Sequence, residues 1–153
     1  SSVVDGYAVA DYIKKNIPKI FNQLISTPIK FKDNDYTQNK IRIINSPVIT
    51  LDKNKDYSDI RFNISTIGAF DIHPNKMKKY YLSYRKFASL IHEKKFTVNF
   101  KLQAGDILCF DNRRVLHGRT SFDSNSGHRH LQGYYMDRDE IFGRLNFLKK
   151  IEL

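Results

Sequence analysis

From residue 96 onward the chain alternates short apolar or aromatic runs with turn pairs, and no other feature limits the fold as much. The runs are Phe96 to Leu102, Ile107 to Phe110, Val115-Leu116-His117 and His130 to Met136, and the turns fall at Gln103-Ala104-Gly105-Asp106 and Asp111-Asn112. β-Branched and aromatic residues suit a pleated, half-buried surface, and Gly, Asn and Asp reverse the chain cheaply. Short strands at this spacing predict an antiparallel sandwich or roll. Residues 29 to 66 have the same character: Ile41 to Ile44, Val48 to Leu51 and Ile60 to Ile64 are short runs separated by Asn, Asp, Lys and Pro.

Two stretches depart from this pattern. Between Tyr7 and Ser26, Val9, Ile13, Ile17, Ile20, Phe21 and Leu24 recur at helical spacing. Pro18 would clash inside a helix and suits a first turn, so two short helices are expected, the second opened by Asn16 and Pro18. After Pro74-Asn75, the residues Met77, Tyr80, Tyr81, Tyr84, Phe87, Ala88 and Ile91 form one apolar stripe opposite Lys78, Lys79, Arg85, Lys86 and Ser89. That periodicity predicts a third helix whose aromatic stripe is core rather than a ligand box.

Composition narrows the function classes. Hydrophobic residues reach 41% of the 153 residues, enough for a packed core. The 26 Lys and Arg against 16 Asp and Glu leave +10, but the lysines fall in scattered pairs rather than a dense stripe, so nucleic acid is not an expected partner. An anionic small molecule would use the same field. No apolar run approaches the roughly 20 residues that span a bilayer, so a membrane partner is not expected either. Ser1 to Gly6 has no basic end or apolar stretch of a signal peptide. The lone Cys109 excludes an internal disulfide and a cysteine zinc site, which fits a reducing compartment.

The chemistry-bearing residues concentrate in Phe110 to Arg119 and Gly127 to Tyr135. If the strands on either side of the Ser124 to Gly127 turn pair, His117 and Arg129 become neighbours. An imidazole is a common iron ligand, and a guanidinium fork matches a carboxylate with two charge-assisted hydrogen bonds. By spacing alone a surface pair explains these residues as well. Arg113, Arg114 and Arg119 read as pairing partners or surface charge, and His73, His92, His128 and His130 lack a ligand partner at useful spacing.

The wording goes beyond the spacing. Phe110-Asp111-Asn112-x-Arg114-x-Leu116-His117-Gly118-Arg119, then Arg129-His130-Leu131-Gln132-Gly133-x-Tyr135-x-Asp137-x-Asp139 and Arg144-Leu145, resembles the C-terminal part of the γ-butyrobetaine dioxygenases. With the trimethyllysine and taurine dioxygenases, these belong to the iron(II) and 2-oxoglutarate oxygenases. Ser2-x-Val4-Asp5-Gly6-Tyr7, followed by Lys14-Lys15-Asn16-x-Pro18, resembles the family segment that succeeds the first two metal ligands, so the likeness covers essentially the whole chain.

The resemblance implies an α+β, mainly β fold: the C-terminal portion of a double-stranded β-helix, or jelly roll, with helical inserts. Residues 1–153 would all belong to one oxygenase catalytic domain. It implies Fe(II) held by two histidines and a carboxylate, 2-oxoglutarate as cosubstrate, and ascorbate as a candidate auxiliary. By the same carry-over His117 is the distal metal ligand, Arg129 pairs with the far carboxylate of 2-oxoglutarate, and Asn63 makes polar contacts to cosubstrate or substrate. For Asn63 a strand-end turn role is an equal alternative. Tyr135 would share the inward face of a strand with Arg129 and meet a quaternary ammonium substrate through a cation–π contact, with core packing as its other reading. The expected reaction is hydroxylation of γ-butyrobetaine to carnitine, with trimethyllysine hydroxylation or a silent anion-binding module as alternatives.

One departure is decisive. The family's first two ligands form His-x-Asp or His-x-Glu, and no histidine here is followed two residues later by a carboxylate. The expectation is therefore a C-terminal fragment of a longer enzyme, inactive alone. Its unpaired strand edges would favour self-association, a homodimer among the forms, and its location would be cytoplasmic, or mitochondrial behind an upstream transit peptide.

Overall fold

In the computed structural model, the described residues are 1–37, 39–118 and 130–151. They divide into two compact units, Ser1–Thr120 and Ser121–Leu153.

The first unit opens with strand β1 (Ser2–Asp5), which runs into helix α1 (Gly6–Asn16). Asp5 caps α1: its carboxylate accepts from the Tyr7 N–H at 3.0 Å, and Lys14 and Lys15 lie at the helix's negative end. The helix stops at Ile17 because a residue before proline is pushed out of the helical region; its φ is −141°. Helix α2 (Pro18–Ser26) then starts with Pro18 in its first turn. The break is where the sequence places it, but Asn16 does not open α2. Its side-chain amide donates back to the Tyr12 carbonyl at 2.8 Å and closes α1, leaving Ile17 at the cap position.

Strands β2 (Ile29–Asp35) and β3 (Lys40–Ser46) form an antiparallel hairpin with Phe31 opposite Ile44. The inner edge of β2 is tied to the chain beyond: the Lys32 N–H donates to the Thr66 carbonyl at 2.6 Å and the Gly68 N–H to the Lys30 carbonyl at 2.8 Å. Strands β4 (Ile49–Leu51) and β5 (Tyr57–Ile60) pair next, across a turn in which the Asp52 carboxylate accepts from the Asn54 and Asp56 N–H groups. The run expected as a strand from Ile60 to Ile64 belongs to β5 only at Ile60; the chain then bends at Asn63.

Helix α3 (Pro74–Leu90) buries Tyr80, Ser83, Tyr84, Phe87 and Leu90. The expected stripe is right at Tyr80, Tyr84 and Phe87, whereas Tyr81 is 49% exposed. Helix α2 packs against α1, α3 and β4, and around these contacts lies a core with Val9, Ile13, Leu24, Ile49, Tyr80, Phe87 and Leu90 fully buried. A sheet in the order β6-β1-β7, with β6 (Thr97–Asn99) and β7 (Val115–Gly118) antiparallel to β1, closes the unit.

The described residues thus form helices and three small antiparallel sheets rather than a closed jelly roll. The expected strand Phe96 to Leu102 shrinks to Thr97–Asn99, and Ile107 to Phe110 and His130 to Met136 are outside any strand. The flanking turns are as expected: Gly105 takes φ +91°, and the Asp111 carbonyl accepts from the Arg114 and Val115 N–H groups. A strand is held extended by the ladder it shares with a neighbour, and these apolar runs find none among the described residues.

In the second unit the described residues are an irregular stretch, 130–137, and helix α4 (Arg138–Ile151), which buries no residue. The sequence reading assigns no helix after residue 136, so α4 is an addition.

Candidate functional site

The β6-β1-β7 sheet has two unlike faces, and strand alternation assigns its side chains to them. On one face Val4 is opposite both Leu116 and Thr97; Val4 is buried and Leu116 packs against the core. On the other face Val3 is opposite both His117 and Val98, with the Asp5 and Val115 pair one step along. His117 is exposed and Val98 is 61% exposed, so this second face carries an imidazole in an open, largely apolar setting. The Phe110 ring lies 4.9 Å from the His117 ring, tilted by 49°. This brings together the two ends of the motif that begins at Phe110 and reaches His117.

The start of β7 is fixed by groups from distant parts of the chain. The Arg114 guanidinium donates to both carboxylate oxygens of Asp5, at 3.1 Å and 2.5 Å, and stands 5.3 Å from the Tyr7 ring centre. The Arg114 fork, helped by the Tyr7 N–H, holds the Asp5 carboxyl below its ordinary range against the opposing effect of burial. The sequence marks Arg114 as a pairing partner or surface charge, but not that it meets Asp5. Nothing in a 109-residue separation signals it.

The other expected site residues are less gathered. The Asn63 carboxamide oxygen accepts from the Ser65 N–H at 2.9 Å and its hydroxyl at 2.7 Å, an Asx turn that matches the strand-end alternative. Among the described residues no hydrogen bond or ring contact links Asn63 with His117. Tyr135 belongs to the second unit, is 80% exposed beside Tyr134 at 86%, and lies in the irregular stretch. The described residues around Tyr135 form no strand whose alternation could set it on one face with Arg129. Arg129 and Arg119 lie outside the described residues.

Among the described residues no three His, Cys, Asp or Glu side chains gather as a metal would require. One imidazole does not hold ferrous iron in a defined geometry, so the described residues do not by themselves fit the ion. Nor is any described helix long and apolar enough to cross a membrane.

The first unit thus offers helices packed on small antiparallel sheets, with a histidine presented on an open sheet face. Residues 1–135 match the family model for the taurine catabolism dioxygenases TauD and TfdA, and the chain belongs to that family. It is 38% identical over 98% of its length to a γ-butyrobetaine dioxygenase of Pseudomonas sp. (strain AK-1), and 34% identical over 98% to that of Homo sapiens. A trimethyllysine dioxygenase of Meyerozyma guilliermondii is 30% identical over 97% of the chain. The chain spans only 39%, 40% and 37% of these relatives' own lengths.

Proposed function

We propose that this chain is one part of the catalytic domain of an Fe(II)- and 2-oxoglutarate-dependent dioxygenase, and that the whole protein hydroxylates γ-butyrobetaine to carnitine. The observation that carries the reading is His117, exposed on β7 beside Phe110 on the open face of a sheet whose other face is packed. An imidazole in that setting keeps a ring nitrogen available to a ligand. In this reading the β6-β1-β7 sheet is one wall of a jelly roll, and residues 1–153 belong to a single catalytic domain. The higher identity to the γ-butyrobetaine enzymes than to the trimethyllysine enzyme supports the choice of substrate.

Each residue then has a chemical task. His117 offers an imidazole nitrogen, while the other two iron ligands come from a His-x-Asp or His-x-Glu pair that this sequence lacks. Iron held by those ligands together would supply the oxidising chemistry, with 2-oxoglutarate as cosubstrate and ascorbate as an auxiliary reductant. Arg129 clamps the far carboxylate of 2-oxoglutarate, which its planar fork fits better than a lysine would. Asn63, its carbonyl oxygen occupied by Ser65, has its amide nitrogen to offer a carboxylate. Tyr135 gives the quaternary ammonium an aromatic face. The outer edges of β6 and β7 favour a homodimer. The proposed location is cytoplasmic, with mitochondrial as the alternative.

The test uses the complete polypeptide that carries this chain. His117→Ala should abolish metal binding and turnover together, and Arg129→Ala should weaken 2-oxoglutarate by about 1.5–3 kcal/mol, the scale of a hydrogen bond to a charged group. Metal affinity unchanged by His117→Ala would overturn the reading. So would a polypeptide with no His-x-Asp or His-x-Glu ahead of the residues described here.

A further inference from the structure

The structure assigns Asp5 and Arg114 as a positioning pair that sets which face of the β6-β1-β7 sheet His117 occupies. This rests on the reading of His117 as a ligand, since only then does its face matter to function. Side chains alternate along a strand, so a slip of β7 by one residue would turn His117 onto the packed face and bring Leu116 out into the open. Strand β7 is only four residues long and among the described residues pairs with β1 alone, so its ladder is short; packing of Leu116 opposes a slip, and the ion pair supplies the directional anchor.

The anchor lies three residues before the histidine. The Asp111 turn delivers Arg114, whose guanidinium grips both oxygens of Asp5. The Asp5 carboxylate is itself fixed by capping α1 through the Tyr7 N–H. Two backbone bonds make the same junction close: the Gly6 N–H donates to the Arg114 carbonyl at 2.9 Å, and the Ile60 N–H to the Arg113 carbonyl at 2.7 Å. A β-carbon on Gly6 would stand 2.7 Å from that Arg114 carbonyl oxygen, so the approach requires glycine. The two-pronged geometry of the ion pair accepts one register. A slip would move Arg114 by a residue and break both prongs.

The side chains are 51% and 38% exposed, and ion pairs of this kind contribute little to global stability. Position, not stability, is therefore the quantity to read. In the isotopically labelled full chain, without metal or cosubstrate, the cross-strand NOE between Val3 and His117 reports the register, and that between Ile49 and Ile60 reports a sheet remote from the pair. Arg114→Gln should lose the Val3 to His117 contact, and with it the His117 to Phe110 ring contact, while the Ile49 to Ile60 contact persists. Arg114→Lys, which keeps one charged prong, should restore at least part of it. Asp5→Asn retains a capping oxygen for α1 and removes the charge, so it should reproduce the Arg114→Gln loss; it decides the matter if Arg114→Gln unfolds the chain. A native Val3 to His117 contact in Asp5→Asn, or loss of both sheet contacts together, would overturn the assignment. Because no metal is present, such a failure leaves the ligand role of His117 to the separate His117→Ala measurement.

Discussion

Helices α3 and α4 are alike in length, 17 and 14 residues, and both carry apolar side chains at helical spacing, yet they are held in different ways. α3 has no acidic residue in its first turn and no basic residue in its last; burial supports it. Phe62 stacks 4.9 Å from Tyr84 and lies 5.3 Å from Phe87, and Phe70 meets Tyr80 edge-on at 5.5 Å. α4 buries nothing, but it has Asp139 and Glu140 at its positive end and Lys149 and Lys150 at its negative end. Arg138 and Arg144 lie over Phe142 and Phe147 in their own turns. Periodicity thus identifies a face without identifying what covers it. Tertiary burial is worth far more than local terms, so the two helices should respond very differently to the same kind of damage.

The largest effect is expected at the covered helix. Phe87→Ala removes a fully buried ring at the contact with Phe62 and should cost about 3–5 kcal/mol in urea unfolding, a large part of a domain's whole stability. A cost below about 1 kcal/mol would mean that α3 owes its support to something other than its aromatic face. Gly6→Ala comes next, at about 1–3 kcal/mol, because the added carbon meets a backbone oxygen and the Ile60 side chain, neither of which swings away. Both changes test whether the first unit is packed as tightly as its burial indicates.

Alkaline titration separates the helices without mutation. Burial pushes the Tyr84 hydroxyl up to about 12 and also raises Tyr80, where the neighbouring Tyr84 adds to the shift. A folded-state pKa above the unfolded value of about 10 means the folded state binds the proton more tightly. The stabilisation is complete below pH 10 and is lost as pH rises through 12, so α3 should melt in that window, with the Tyr80 and Tyr84 phenolates, read as site-resolved NMR signals, forming only as it unfolds. Ionisation of Tyr80 or Tyr84 near pH 10 without unfolding would contradict the burial of that face. At the acid end Asp5 works the other way. Its depressed pKa stabilises the fold above the ordinary carboxylate range, and the contribution disappears as pH falls through the lowered value, by a small amount because the pair is half exposed.

The same contrast shows how much could be read from the sequence. Signals carried within a few residues were legible: Pro18 divides the first two helices, Gly105 and Asp111 reverse the chain, and Pro74 starts α3. His117 and its motif were legible for the same reason. α4 was missed although Asp137 just ahead of it and its terminal charges mark it, because it follows a run that resembles a strand. Strand extents were less legible, since an apolar run such as Ile107 to Phe110 becomes a strand only with a neighbour to share its ladder. The Asp5 and Arg114 contact was invisible because it depends on tertiary structure alone.

The smallest predicted effect is the sharpest check on the comparison. Leu145 is 42% exposed on α4, with Ile141 and Leu148 beside it on the same stripe at 46% and 42%. Leu145→Ala keeps the best helix former, forfeits little buried area, and leaves the charge arrangement at both helix ends intact. Urea unfolding of the chain should shift by no more than about 0.5 kcal/mol. The same substitution at the fully buried Leu90 of α3 should cost several times as much, since it adds a cavity to the lost transfer energy. If Leu145→Ala instead costs about 2 kcal/mol or more, the stripe on α4 is covered in solution, and helicity measured across a dilution series would then tell cover by a second copy of the chain from cover within one.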